Sequence, residues 1–545
     1  MLKRLDNGYL FVFLVVLAPT SFFLSRNYSQ QSVKGNLLTL AAALLIGLVA
    51  SVCAAVLLAF FDRWPWFRSA SGRPFRRIAF AVASVVAFPF SVYISWWNQG
   101  VGGAVAMAVL AVLCVLYLTR IIGFGILNAF LAIFTVISLI NLTRIEMAAD
   151  YRPIPPPKAM PHKFALVEKP NIYYLFLESM HDRRTINAQY GFDAPELFSY
   201  LDDKKFVIVD DFYTNYVGTL ESALAAFSMG HHFSKFNMSF VDATRDSFAV
   251  MADNNVFHIL KHNGYSINLF DVNGKYVFRH ESDFVDYTHF RPKTERIDGV
   301  AESIGYINPY AGSLIRWINR KAYGEPGGET LPMVNYFRSD YPGKFNLRRP
   351  AFFYFHFGAR HIGEQTHFYP EPGWRPDWIP RYKDHFRRAT KELQEFVDSI
   401  MANDPGALIV ITGDHGASKY GRQLDLQTNP EFLLGKRDIN AFFRENGVEP
   451  RTVGAALGEV LAAIHWPKGI TPPEVPDKGL SHVTLFPFIF SRLGEKTYRE
   501  EDFAENISVN LVHLDGRYLV FARDGKLLDD WKVMLLRDGR LVDPE

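Results

Sequence analysis

The clearest indication of the fold is the segment Ala407-Leu-Ile-Val-Ile-Thr-Gly-Asp-His-Gly416. The apolar run Ala407–Ile411 is followed almost at once by an acid and an imidazole, Asp414 and His415. A short continuous apolar run is typical of a strand that is buried on both faces, as in a parallel sheet covered by helices. Open α/β sheets bind their ligands beyond the carboxyl ends of the strands. The stretch therefore predicts an α/β domain with a functional site directly after this strand.

Two other apolar runs, Asn171–Leu177 and Ala351–Phe355, have the same character. Apolar residues recur at helical spacing over Phe386–Ile400, which predicts a crossover helix between two of the strands. Residues 257–270 indicate a helix, a turn at Asn263-Gly264 and a further strand. We therefore predict a mainly parallel sheet that is sandwiched between helices.

The C-terminal part of the chain has a different pattern. Tyr518–Arg523 is a β-type run, and the pairs Asp524-Gly525 and Asp538-Gly539 are typical of hairpin turns. These features predict a small antiparallel patch at the end of the domain.

The composition excludes several classes of protein. The 545 residues are 49% hydrophobic and 21% charged, which excludes a disordered chain and indicates more than one folding unit. Lysine plus arginine outnumber aspartate plus glutamate by only 58 to 56, so we expect no nucleic-acid partner. Both cysteines, Cys53 and Cys114, lie in apolar runs, so the rest of the chain has no disulfide framework and no cysteine metal cluster.

The apolar content is concentrated before residue 143. Five uncharged runs there approach or exceed the length of about 20 residues that a helix needs to cross a bilayer. They are Tyr9–Ser25, Leu37–Phe61, Ile78–Trp97, Val101–Leu118 and Ile121–Thr143. Basic residues lie before the first run and after the second and fourth, which places the N-terminus in the cytoplasm. We therefore predict a five-helix transmembrane anchor over residues 1–145, in the inner membrane of a bacterium, with the remaining chain in the periplasm.

A proline-rich segment separates this anchor from the rest of the chain. It contains Tyr151-Arg-Pro-Ile-Pro-Pro-Pro157 and Pro161, which exclude a regular helix. We predict an extended connector over residues 146–168 that runs across the surface, followed by a catalytic domain over residues 169–545.

The three predicted strands end in residues that suit a divalent metal ion. Glu178 follows the first strand, His356 and His361 follow the second, and Asp414-His415 follows the third. Carboxylates combined with imidazole suit zinc or manganese better than magnesium. Taken singly, a glutamate or histidine at such a place is more often a solvated or structural residue. Asp414 and His415 are a more specific indication of a metal site, because an acid and an imidazole follow the same strand together.

A candidate nucleophile is present in Gly218-Thr219, just before a predicted helix. A hydroxyl at the start of a helix lies near free backbone N–H groups, which favour a phosphate there. The alternative is that Thr219 only caps the helix. Coordination to a metal ion would turn this poor hydroxyl nucleophile into a good one.

Taken together, these residues resemble a known family. Leu177-Glu178-Ser179, Gly218-Thr219, His361 and Gly413–Gly416, in that order after five apolar runs, look like the membrane-anchored sulfatase-fold transferases. That group belongs to the alkaline phosphatase superfamily. It includes lipoteichoic acid synthases, phosphoglycerol transferases of periplasmic glucans and lipid A phosphoethanolamine transferases.

The resemblance implies a cofactor, a reaction and partners. One divalent ion, zinc or manganese, is expected to be bound by Glu178, Thr219, Asp414 and His415. Thr219 is expected to attack the phosphodiester of a phospholipid donor and to become transiently phosphorylated. The head group is then expected to pass to a glycan or a lipid-linked sugar.

Further site residues follow the second strand. His361 matches the family histidine that contacts the transferred group, His356 is expected to contact the metal ligands or the leaving group, and Arg360 is expected to clamp the phosphate. The Leu-Glu-Ser form and the lack of disulfides favour phosphoglycerol over phosphoethanolamine, although the head group stays open. Residues 421–479 have no counterpart that we can place. Two alternatives also stay open: a phosphodiesterase or phosphatase of the same fold, and an inactive sensor or scaffold.

Overall fold

The computed structural model describes most of the domain that follows the proline-rich segment. The described residues are 124–148, 155–216, 218–231, 250–271, 277–278, 282–290, 350–357, 378–416, 458–477, 479–503, the strands between 507 and 542, and isolated positions at 455 and before 53. The chain divides into two compact units. One comprises Met1–Asp150 and Pro292–Gly328, and the other comprises Tyr151–Arg291 and Glu329–Glu545.

The core of the second unit is a seven-stranded sheet. Its strands are β1 (Ile172–Leu177), β2 (Val207–Ile208), β3 (Ser266–Asp271), β4 (Tyr287–Phe290), β5 (Ala351–Phe357), β6 (Leu408–Gly413) and β7 (Ala462–His465). They are arranged in the order β2-β7-β6-β1-β5-β3-β4. The five strands β6, β1, β5, β3 and β4 run parallel, and β7 runs antiparallel to both of its neighbours. The prediction of a mainly parallel sheet is therefore confirmed.

The three strands recognised in the sequence, β1, β5 and β6, lie side by side in the middle of this sheet. Every residue of β1 and of β6 is buried, which explains why both strands are apolar without alternation. Because β1 is central, its carboxyl end lies between the carboxyl ends of β5 and β6. The residues that follow these strands are therefore brought to one edge of the sheet.

Helices cover both faces of the sheet. The helices of this unit are α2 (Pro195–Asp203), α3 (Thr219–Ser228), α4 (Asn255–His262), α5 (Trp378–Asn403) and α6 (His482–Leu493), with short helical segments at Arg183–Thr185, Ile186–Tyr190 and Glu500–Asp502. Residues of α3, α4 and α6 share one core cluster with alternate residues of β1. Residues of α2 and α5 share a second cluster with the other residues of β1. The predicted sandwich of helices around the sheet is confirmed.

Local predictions also agree with the structure. The crossover helix predicted over Phe386–Ile400 is part of α5. Helix α4 ends before Gly264, whose φ of +83° reverses the chain into β3 as the Asn-Gly pair predicts. The C-terminal strands β8 (Ile507–Leu511), β9 (Arg517–Ala522) and β10 (Leu527–Val533) form an antiparallel sheet, and β11 (Leu535–Arg537) pairs with β12 (Arg540–Val542).

The proline-rich connector forms no helix or strand from residue 155 and runs over the surface, with Lys158, Pro161 and Lys163 exposed. Three of its side chains are nevertheless buried, which its sequence does not predict. Met160, Phe164 and Leu166 are buried in the core cluster that contains α3, α4 and α6. The side chain of Asn263 binds the backbone of both Phe164 and Leu166, at 2.8 Å each. Burial of these three apolar side chains attaches the connector to the domain, while most of the residues between them stay exposed.

Most of the predicted membrane anchor lies outside the described residues. The last predicted span, Ile121–Thr143, overlaps helix α1 (Phe124–Ala148) in the first unit. Among the residues that the structure describes, no helix is both long enough and apolar enough to qualify as a membrane span. The five-helix anchor and the boundaries at 145 and 168 stay predictions. Of residues 421–479, the described part contributes β7 to the sheet.

Candidate active site

Glu178 comes directly after β1, in the middle of the carboxyl edge of the sheet. The next residue, Ser179, has a φ of +54°, a backbone conformation that residues other than glycine rarely adopt. This turn directs the Ser179 backbone N–H to Asp414, where it donates to Oδ1 at 2.7 Å. The Tyr382 hydroxyl of α5 holds the same residue by donating to its carbonyl at 3.1 Å. The loop after β1 is thus bound to the loop after β6.

Asp414 follows β6 and is fully buried. Its Oδ1 accepts from two backbone N–H groups, those of Ser179 and His415, each at 2.7 Å. Its own N–H donates to the carbonyl of Leu177 at 2.9 Å, which continues the pairing of β6 with β1. Since Oδ1 is occupied by the backbone, Oδ2 is the oxygen that faces the other site residues.

Thr219 is the first residue of α3 and is buried. Its hydroxyl lies 2.7 Å from Asp414 Oδ2, 3.3 Å from His415 Nε2 and 3.5 Å from Glu178 Oε2. The residue at the capping position of the helix is Gly218, which has extended backbone angles. The alternative that Thr219 only caps the helix is therefore wrong. Its hydroxyl points to the two carboxylates and the imidazole.

The ring of His415 is oriented by its own loop. Nδ1 lies 3.0 Å from the carbonyl oxygen of Gly416, which only accepts, so Nδ1 carries the proton. Nε2 is then directed at the carboxylates, 3.3 Å from Asp414 Oδ2 and 3.5 Å from Glu178 Oε1. A backbone carbonyl bound to one ring nitrogen is the usual arrangement when the other nitrogen binds a metal ion.

These side chains form a donor set that fits a divalent cation. One ligand atom from each of Glu178, Asp414 and His415 lies within 4.8 Å of the others, and the Thr219 hydroxyl lies among them. Two carboxylates balance the charge of one divalent ion, and the imidazole favours zinc or manganese over magnesium. Without a cation, two buried carboxylates this close would repel each other.

The crowding of these groups raises the pKa of two of them. Burial and the neighbouring Glu178 carboxylate raise the pKa of Asp414 from 3.8 to about 6. Burial alone would lower the pKa of His415, but the Asp414 and Glu178 carboxylates outweigh it and leave the pKa above 6.5. In the folded chain Asp414 and His415 therefore keep their protons to a higher pH, and a metal ion that binds there has to displace these protons.

We expect this trapping to appear as a pH dependence of the metal-free protein. Between pH 3.8 and about 6 the folded chain holds a proton on Asp414 that the unfolded chain has lost. The contribution of Asp414 to the free energy of unfolding therefore falls as the pH rises through this window. The affinity for Zn²⁺ or Mn²⁺ is expected to rise over the same window, because fewer protons compete.

The measurement is denaturant unfolding of the chelator-treated wild type and of Asp414→Asn at a series of pH values. The difference between the two proteins is the informative quantity, because burial lowers the pKa of His482 to about 3 and that group titrates in the opposite sense. The range from about pH 4 to about pH 6 covers the interval between the ordinary and the raised pKa of Asp414. If the free energy of unfolding of the wild type rises relative to that of Asp414→Asn over this range, the expectation is wrong.

The remaining candidates from the second strand are only partly within the described residues. His356, in β5 beside β1, is fully buried, and its Nε2 lies 3.7 Å from Glu178 Oε2. It therefore lies next to the candidate ligand Glu178, on the neighbouring strand. Arg360 and His361 lie outside the described residues, so their roles stay predictions.

Sequence reasoning did not identify Ser179 or Tyr382 as supporting residues. A positive φ at a serine leaves no mark in the sequence. Tyr382 is one of 25 tyrosines and is separated from Ser179 by about two hundred residues, and only the packing of α5 on the sheet brings its hydroxyl to that carbonyl.

The sequence matches no protein-family model. It also matches no curated protein. Several solved structures are similar in fold. The lipoteichoic acid synthase LtaP from Listeria monocytogenes aligns with 71% of this chain and 92% of its own, at 12% identity and a TM-score of 0.37. The C-terminal periplasmic domain of EcEptC from Escherichia coli aligns with 69% and 92%, at 12% identity and a TM-score of 0.36.

The soluble domain of lipooligosaccharide phosphoethanolamine transferase A from Neisseria meningitidis aligns with 65% of this chain and 97% of its own, at 12% identity and a TM-score of 0.35. The names of these proteins fall within the transferase group that the sequence motifs resemble. At such TM-scores the similarity carries no functional conclusion, which has to come from the residues of the site.

Proposed function

We propose that this protein transfers the phosphate-bearing head group of a phospholipid to a hydroxyl of a glycan or a lipid-linked sugar, through a phospho-threonine at Thr219. One observation carries the proposal. Thr219 is the first residue of α3, and its hydroxyl lies 2.7 Å from the buried carboxylate of Asp414. A second carboxylate and an imidazole lie within 3.5 Å of the same hydroxyl. A threonine with only a structural role has no need of such neighbours.

The first step forms the bond between Thr219 Oγ1 and phosphorus and breaks the bond between phosphorus and the diacylglycerol oxygen. Asp414 Oδ2 lies 2.7 Å from Oγ1 and accepts the hydroxyl proton, which passes on to solvent. The diacylglycerol oxygen takes up a proton from solvent. Thr219 is the first residue of α3, so the new phosphate would lie at the positive end of the helix dipole.

The second step returns Thr219 to its starting state. An acceptor hydroxyl attacks phosphorus and releases its proton to solvent, the bond from phosphorus to Oγ1 breaks, and Oγ1 regains a proton from solvent through Asp414. A divalent cation held by Glu178, Thr219, Asp414 and His415 would lower the pKa of the attacking hydroxyl and offset the charge of the phosphate. The same cation fits the two carboxylates whose repulsion otherwise opposes the fold.

The predicted location of the domain brings its site close to the phospholipid substrate. We place the domain on the periplasmic side of the inner membrane, on a multi-pass anchor whose basic loops are cytoplasmic. A site that is tethered at the outer leaflet meets phospholipids at a high effective concentration. Phosphoglycerol and phosphoethanolamine are both candidate head groups.

The decisive experiment uses the full-length chain with vesicles of phosphatidylglycerol or phosphatidylethanolamine and added Zn²⁺ or Mn²⁺. We expect released diacylglycerol and, by mass spectrometry, a head-group phosphate on the peptide that contains Thr219. Absence of the modified peptide together with absence of diacylglycerol, for both lipids and both ions, would refute the proposal.

The same experiment separates the two alternatives. A phosphodiesterase would release free head-group phosphate at a rate that added envelope glycan does not change, whereas a transferase would label the glycan. A scaffold would bind neither ion. The intact set of Glu178, Thr219, Asp414 and His415 in contact distance favours an active enzyme over a scaffold.

A further inference from the structure

His482 is a fully buried histidine that the proposed chemistry does not use. It is the first residue of α6, directly after the capping residue Ser481. Its Nε2 lies 3.0 Å from the carbonyl oxygen of Gly413, and its Nδ1 lies 3.1 Å from the hydroxyl of Thr214. The imidazole therefore reaches the backbone immediately before Asp414.

The protonation of this ring follows from its partners. A carbonyl oxygen only accepts, so Nε2 carries the proton and donates it to Gly413. Nδ1 then has a lone pair that faces the Thr214 hydroxyl. That hydroxyl also lies 2.9 Å from the carbonyl oxygen of Asp414, so His482 and Thr214 together contact the carbonyls of both Gly413 and Asp414.

The rest of the loop is fixed on its other side. The N–H of Gly413 donates to Leu461 in the segment before β7, and the N–H of Asp414 donates to Leu177 at the end of β1. The sheet thus holds the two N–H groups, while His482 and Thr214 contact the two carbonyls. The peptide between Gly413 and Asp414 is therefore held at both of its polar groups, its carbonyl by His482 and its N–H by Leu177.

The ring of His482 is itself held in one orientation. It packs edge-on against Phe212 at 5.1 Å and against Phe176 of β1 at 5.5 Å between ring centroids. Its helix, α6, shares a core cluster with α3, which carries Thr219. A helix without any predicted ligand therefore contacts the loops and elements that supply the ligands.

We propose that His482 is a positioning residue for the metal site, which acts by fixing the peptide that precedes Asp414. This inference rests on the proposed metal site and adds a residue to it. Groups that orient a metal ligand typically change the metal affinity by about 10- to 100-fold when they are removed. A residue needed only for the core would change stability without changing the affinity of the folded protein.

The test measures Zn²⁺ and Mn²⁺ dissociation constants by calorimetry, on chelator-treated full-length protein in detergent. The side chain of Gln in His482→Gln is long enough to place an amide N–H near the position of Nε2, so we expect it to keep the bond to the Gly413 carbonyl. The shorter side chain in His482→Asn is expected to lose this bond. We expect His482→Asn to bind the ion about 10-fold or more weakly than wild type, with His482→Gln in between. Both variants keep a polar side chain of similar size, which favours a folded protein.

Asn263→Ala is the matched control. Asn263 is also buried and also holds backbone groups, those of Phe164 and Leu166, which belong to the connector and not to the loops after β1 and β6. We expect it to lower stability and to leave metal affinity unchanged. Equal affinity of folded His482→Gln, His482→Asn and wild type would overturn the inference alone. A wild type that binds neither ion would overturn the proposed metal site as well.

Discussion

Thr219→Ala is expected to lower the rate of head-group transfer by at least about 10³-fold, the scale seen when a covalent nucleophile is removed. The substitution removes the oxygen that forms the covalent intermediate with phosphorus. It also removes the hydrogen bond to Asp414 Oδ2 and a candidate metal ligand. Transfer is measured as labelled head group on the acceptor, and the intermediate as a modified Thr219 peptide.

Two further variants make the result specific. Thr219→Ser keeps the hydroxyl and is expected to retain measurable transfer, with the modified peptide shifted to the serine. Thr390→Ala removes a threonine that is equally buried, in α5, away from the site ligands, and is expected to transfer at the wild-type rate. Near-normal transfer by folded Thr219→Ala would end the nucleophile assignment.

Gly413→Ala is expected to have the largest effect on the fold at the site. A Cβ at this position would lie 2.3 Å from the backbone oxygen of Met180 and 2.9 Å from Cβ of Val460. The Met180 oxygen cannot move freely, because it accepts from Leu461 N–H at 2.9 Å, and Val460 is fully buried. We expect a loss of about 3 kcal/mol or more in the free energy of unfolding, together with weaker metal binding.

Gly406→Ala is the control for this prediction. It lies just before β6, and a Cβ there would meet its nearest neighbour, Asp404 Oδ1, at 4.0 Å. We expect its free energy of unfolding to stay within about 0.5 kcal/mol of the wild-type value. Denaturant unfolding of the two variants, in the presence and absence of Zn²⁺, measures the contrast. Similar stability and similar metal response for both would show that the close approach at Gly413 is not constraining.

The central strands of the sheet could be predicted from the sequence because they are buried on both faces. Burial on both sides leaves no polar alternation, so Ile172–Leu177 and Leu408–Gly413 are continuous apolar runs with a polar residue at the end. The edge strands β2 and β4 were not predicted. They are two and four residues long, and their pairing depends on neighbours from distant parts of the chain.

The candidate ligands could be predicted only in part. Glu178 and Asp414 were identified because parallel strands end at the same edge of a sheet, which is a property of the topology. The role of Thr219 needed more, since it depends on where α3 begins relative to that edge. The connector has no regular secondary structure, as its prolines predict. The burial of Phe164 could not be predicted, because it depends on an apolar surface that other elements provide.

From the amino-acid sequence alone follow the apolar strands, the acid and imidazole groups at their ends, and the hydroxyl of Thr219 before a helix. Which of these atoms face each other depends on how the strands and helices pack. Ser179 turns its N–H to one oxygen of Asp414 and Thr219 turns its hydroxyl to the other. His482 reaches the same loop from a helix that begins 69 residues after Gly413, the last residue of β6. Hydrogen bonds act over about 3 Å, and residues that are far apart in the chain come within that distance only when the sheet and its helices are packed.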